Sequence, residues 1–179
     1  MCIGQMKVDD KSNAGQAMPK LLALLDLKGA VVTADALNCQ KEIAGQVIRQ
    51  GGDWCLALKG NHRSLYEEAK QFCEYGVSNG FEVPVATHKE EDYSHGRCEL
   101  REAWLLSVGD LGWLEGTGEW PGLKSIVWVR NTRRQREQQS VESRCYVTSL
   151  VDCAQAARSI RGHWEVENCL HSRDGRGLW

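Results

Sequence analysis

The 179-residue chain lacks an excess of charge of either sign, its net charge being −2. Phosphate-binding surfaces are normally basic, so any affinity for nucleic acid has to be local. No apolar run approaches the ~18 residues of a membrane span, and the N-terminus, MCIGQMKVDD, carries neither a basic nor an apolar leader region. A cytoplasmic location without membrane contact is expected. The eight cysteines include no CxxC pair, which argues against a disulfide scaffold and a zinc ribbon. His163, Cys169 and His171 could be grouped as metal ligands, but their spacing matches no standard zinc pattern. GxGxxG and GxxxxGK[ST] are both absent, and GTGEWPG lacks a strand-to-helix setting, so no nucleotide cofactor is expected.

What is present is a globular composition, 42% hydrophobic and 26% charged, in a length that suits one folded domain. Met18, Leu21, Leu22 and Leu25 recur at helical spacing over residues 14 to 27, with Gly29 placed to end that helix. AVVTA and WCLALK are short apolar runs of the kind buried in parallel sheets. Between them QKEIAGQVIRQGG gathers Cys39, Ile43, Ala44, Val47 and Ile48 on one helical side, with Asn38 as N-cap and Gly51 as stop. Strand, helix and strand over residues 30 to 59 make a parallel crossover unit. NHRSLYEEAKQFCEYG reads as a further helix, capped by Asn61. From about residue 83 to 149 the pattern turns to alternation, in RCELREAWLLSV, LKSIVWVRNT and SVESRCYVTSL. The arginine-rich VRNTRRQRE fits either a local phosphate-binding patch or a solvated loop between two strands.

The last helix, DCAQAARSIRGHWEVENCLH, sets Ala156, Ala157, Ile160, Trp164 and Leu170 on one arc and Arg158, Arg161 and Glu165 on the other. Glu167 falls within the apolar arc, where a carboxylate is costly unless it is paired or bound to a cation. A second conspicuous carboxylate, Asp35, closes the AVVTA strand. Ligands of open α/β sheets bind beyond the carboxyl ends of the strands. Asp35 and Glu167 are therefore candidate ligands of one hard divalent cation such as Mg²⁺. The alternatives are an Asp35 that caps the next helix and a Glu167 paired with an arginine or with His163.

The ordered series GQMKVDDKSN, LLALLDLKGAVVTADALNCQKEIA, LALKGN, HGRCELRE, WPGLKSI, SRCYVTSL and RGHWEVENCLH closely resembles bacterial insertion-sequence transposases of the H-repeat-associated type. These look like DDE transposases. The resemblance implies an α/β fold with a ribonuclease H-like core over residues 1–82, a β-rich insertion over 83–149, the acidic helix of the core over 150–171 and a divergent tail over 172–179. It implies that Asp35 is the second acid of the catalytic set and Glu167 the third. Mg²⁺ or Mn²⁺ bound between such acids would support cleavage and transfer of DNA strands.

DNA, as transposon ends, is the partner so implied. Lys59 and Asn61 of KGN, Arg97 and Arg101 of HGRCELR, and Arg130, Arg133, Arg134 and Arg136 of VRNTRRQRE are candidate phosphate contacts. For Lys59 and Asn61 the alternative is a turn and helix cap. The family's first aspartate belongs on a strand ahead of GQMKV, for which Asp9 and Asp10 are no substitute. The expectation is accordingly a chain that lacks its first core strand, binds metal weakly and neither cleaves nor joins DNA alone. Such a chain is expected to self-associate or to join an intact transposase. The competing reading is a non-catalytic remnant that binds DNA or interacts with transposase.

Overall fold

The computed structural model describes the backbone of residues 14–94, 97–136 and 138–174, and the side chains of residues 17–93, 97–136 and 138–164. Among the described residues four α-helices and six strands follow one another as α1 (Ala14–Leu22), β1 (Val31–Ala34), α2 (Lys41–Arg49), β2 (Asp53–Leu58), α3 (Arg63–Asn79), β3 (Val85–Ser94), β4 (Arg97–Ser107), β5 (Ser125–Gln135), β6 (Gln138–Thr148) and α4 (Cys153–Asp174). The strands form a single mixed sheet in the order β1-β2-β6-β5-β4-β3. β1 and β2 are parallel, as the crossover unit requires, and every other neighbouring pair is antiparallel. The strand-rich stretch is thus continuous with the α/β half: β6 pairs with β2 through Cys55↔Thr148 to Leu58↔Cys145.

Alternation assigns each face of the sheet its own cover. Ala34, Trp54, Leu56, Leu58, Cys145, Val147, Ile126, Trp128 and Leu106 pack beneath α2 and α3 with Ile43, Val47, Leu65, Ala69 and Cys73. On the opposite face Cys55, Ala57, Tyr146, Val127, Val129, Ala103 and Leu105 meet Cys153, Ala156 and Ile160 of α4. Each fully buried aliphatic side chain contributes roughly 1.5–3 kcal/mol. The apolar arc read for α4 is therefore, from Ala156 to Trp164, the face it buries, and Leu170 lies outside the described residues. Arg161, placed on the solvent arc, instead reaches Glu90 of β3 at 3.0 Å.

Local signals were displaced where side chains found other partners. α1 stops at Leu22 rather than near residue 27, and Asp26 accepts the Lys28 N–H at 3.1 Å in the turn that follows. Gln40, not Asn38, precedes α2, because Asn38 is held by Asp35. His62, not Asn61, precedes α3, after a 3-10 turn over Gly60–His62. Gly51 does end α2, at φ 77, a left-handed conformation that favours glycine. VRNTRRQRE is mostly strand rather than loop: residues 130 to 135 continue β5, and Arg136, at φ 54, stands in the turn.

Candidate active site

Asp35 follows the buried Ala34 directly and stands exposed at the carboxyl end of β1. Its Oδ1 accepts from the Asn38 N–H at 3.2 Å and from Asn38 Nδ2 at 3.0 Å, closing a 3-10 turn over Ala36–Asn38. Oδ2 has no hydrogen-bond partner among the described residues. The capping role is real, and among the described residues it leaves one carboxylate oxygen open. Asn61 fixes the turn from the neighbouring loop, donating Nδ2 to Ala36 O at 2.7 Å and to Cys39 O at 3.3 Å. His62 Nε2 meets the same Cys39 carbonyl at 2.8 Å. The loops after the two parallel strands are thereby tied together.

β6 and α4 complete the site. The Leu58↔Cys145 pairing carries Arg144 to the end of β2 where Lys59 lies. From the other side α4 sets His163 Nδ1 3.4 Å from Thr33 Oγ1 of β1. A polar cavity of about 390 Å³ results, with Asp35, Lys59, Tyr66, Arg144, Tyr146 and His163 on its wall. The Tyr146 hydroxyl accepts from Trp164 Nε1 at 2.9 Å, and burial raises its pKa well above the ordinary tyrosine value. Burial likewise raises the Cys39 thiol behind the turn to about 12, so it stays protonated and unreactive at neutral pH.

Residue 167 lies four positions past His163 on α4, about 6 Å further along the same element. The side chain of Glu167 lies outside the described residues, as do those of Cys169 and His171. Among the described residues no group of three or more His, Cys, Asp or Glu side chains is placed to hold a metal. The open oxygen of Asp35 is nonetheless the hard donor that Mg²⁺ prefers. β1 and α4 touch through Thr33 and His163, and His163 also lines the cavity.

The predicted DNA contacts are divided by the sheet. Glu99, only 6% exposed, receives Arg97 at 3.0 Å and Arg133 at 3.1 Å as well as Arg101. On the other face Arg130 grips Glu102 through Nε at 3.1 Å and Nη2 at 2.9 Å while lying over the Trp104 ring. Arg134 donates to the neutral Gln139 at 3.0 Å. Lys59, Arg134 and Arg136 thus have no carboxylate ion pair among the described residues. Arg144 was not singled out from sequence, because only the strand register carries it to the cavity.

Comparison with known proteins identifies the family. The model of the "Transposase DDE domain" family matches residues 2–173. The "H repeat-associated putative transposase YhhI" of Escherichia coli (strain K12) is 36% identical over 178 residues, covering 97% of this chain and 46% of that protein. The "Uncharacterized protein in dhlA 3'region" of Xanthobacter autotrophicus is 38% identical over 149 residues, 83% of this chain and 49% of the relative. No solved structure matches. The chain belongs to the DDE-domain transposase family. It spans about half the length of the curated relatives it matches. No described helix is long and apolar enough to cross a membrane.

Proposed function

We propose that this chain carries part of the catalytic site of a DNA transposase, with Asp35 and Glu167 as ligands of Mg²⁺ or Mn²⁺ on a ribonuclease H-like core. The observation that carries the reading is the open Oδ2 of Asp35 at the carboxyl end of the parallel pair, beside a cavity that α4 helps to wall. When bound, the divalent ion supplies Lewis-acid polarisation of a phosphoryl oxygen. The chain's own residues do the rest. Asn38 orients the Asp35 carboxylate through Oδ1, and Asn61 holds the turn that presents it. Lys59 places positive charge at the cavity wall, where an approaching DNA backbone is attracted.

The same reading ranks the other cations. Arg134 and Arg136, exposed at the far end of the β5–β6 hairpin, are the better candidates for DNA phosphates. Arg97, Arg101, Arg130 and Arg133 must first leave Glu99 or Glu102.

The test is calorimetric titration with Mn²⁺ of the parent chain and of Asp35→Ala and Glu167→Ala, each first verified as folded by circular dichroism. Saturable binding in the parent, weakened at least tenfold by either substitution, is expected. Binding unchanged by both substitutions, or absent from the folded parent, rejects the shared site.

A further inference from the structure

Arg144 is held more firmly than a surface arginine needs to be. Its side chain is 31% exposed, and its guanidinium carbon lies 4.5 Å from the centroid of the Trp164 ring. Trp164 is fixed in turn by its hydrogen bond to Tyr146, two residues along β6 from Arg144. The guanidinium thus rests over the ring and beside the Tyr146 hydroxyl, and its planar fork of donors suits acceptors lying in its plane. Nε and Nη2 both meet one oxygen of Glu142 at 2.8 Å. The Glu142 side chain is 58% exposed, so this ion pair is hydrated and contributes little. A phosphate offers two oxygens to the same fork and competes well for it.

We infer that Arg144, with Lys59 on the same cavity, grips a DNA backbone phosphate next to Asp35, Glu142 giving up its place when DNA arrives. The assignment rests on the proposed DNA substrate and adds to it a phosphate-binding residue that fixes where the strand lies against the Asp35 carboxylate. Lys59 serves as a mobile point charge, whereas Arg144 is oriented in advance by Trp164 and Tyr146.

The experiment follows binding of a short fluorescent DNA duplex of arbitrary sequence by anisotropy, in EDTA, across a series of salt concentrations. Removing one cation from a phosphate makes the slope of log affinity against log salt shallower by about 0.9. Arg144→Gln and Lys59→Gln are each expected to flatten the slope by about that much, Arg144→Lys much less, and Glu142→Gln to bind more tightly than the parent because Arg144 is released. An arginine that only supports α4 would lower the melting temperature of Arg144→Gln and leave the slope unchanged. Should Arg144→Gln fail to fold, the Glu142→Gln arm decides by itself. A parent without salt-dependent binding, an unchanged slope in Arg144→Gln, or a Glu142→Gln affinity no higher than the parent's overturns the inference. Titration of the parent with Mn²⁺ separates the two proposals: absent metal binding together with a flattened DNA slope in Arg144→Gln removes the metal site and keeps the phosphate site.

Discussion

At the scale of single residues, the site depends on amides that hold loops rather than on charges. Asn61 joins the turn after β1 to the turn after β2 by two hydrogen bonds from one nitrogen, and Asp35 stands on the first of those turns. Asn61→Ala removes both bonds and leaves the Ala36 and Cys39 carbonyls to water and to His62. A loss of about 1–2 kcal/mol in stability is expected, read as a lower urea midpoint with an unchanged slope. Mn²⁺ affinity should fall with it, because the carboxylate loses its fixed orientation. The sequence made Asn61 a helix cap, since an Asn before an amphipathic run is a local signal. Its actual partners lie more than twenty positions away, and nothing local encodes them. Asp35 was legible for the opposite reason: a carboxylate straight after an apolar parallel strand reveals its location through topology alone, although β1 lies at the sheet edge and only Ala34 in it is fully buried.

At the scale of elements, α4 is held to the sheet by an apolar stripe and by a polar clasp on β3. Glu90 accepts from His88 Nε2 at 3.1 Å and from Arg161 at 3.0 Å. The hydrogen bond from His88, followed by Arg161, lowers the Glu90 pKa below the ordinary carboxylate value. The folded state therefore holds this group's proton less tightly than the unfolded chain does. Its contribution is present above the unfolded-state pKa and is lost as pH falls through the lower, folded value. Thermal melts taken from neutral pH to about pH 3 should show a smaller acid loss in Glu90→Gln than in the parent. At neutral pH that variant should be less stable by under about 1 kcal/mol, because the clasp is partly exposed. The stripe on α4 was plain from its period. The clasp was not, because it needs Arg161 and β3 in one place. The strand register likewise decides that Glu99 faces Arg133, and with it the fate of the arginines.

At the scale of the whole molecule, one sheet serves both the site and the antiparallel ribbon, so the two cannot be stabilised independently. Where β2 meets β6, Ser149 Oγ accepts the Trp54 N–H at 2.9 Å and donates to Asp53 Oδ1 at 2.8 Å. Thr148 Oγ1 donates to Trp54 O at 2.6 Å, and the Ser149 N–H to the same carbonyl at 3.0 Å. These bonds connect segments some 95 positions apart in the chain, across the boundary that alternation in the sequence drew near residue 83. The hydrophobic period changes there, and the pairing of β2 with β6 runs across that change. Unfolding is accordingly expected as one transition, with tryptophan fluorescence and far-ultraviolet circular dichroism coincident in urea. Ser149→Ala leaves the buried Trp54 N–H without its acceptor and should cost about 1–3 kcal/mol. Both probes should move together to a lower midpoint. If fluorescence and dichroism separate instead, the ribbon and the α/β half are distinct folding units, and the Asp35 cavity, which draws on both, assembles only after they dock.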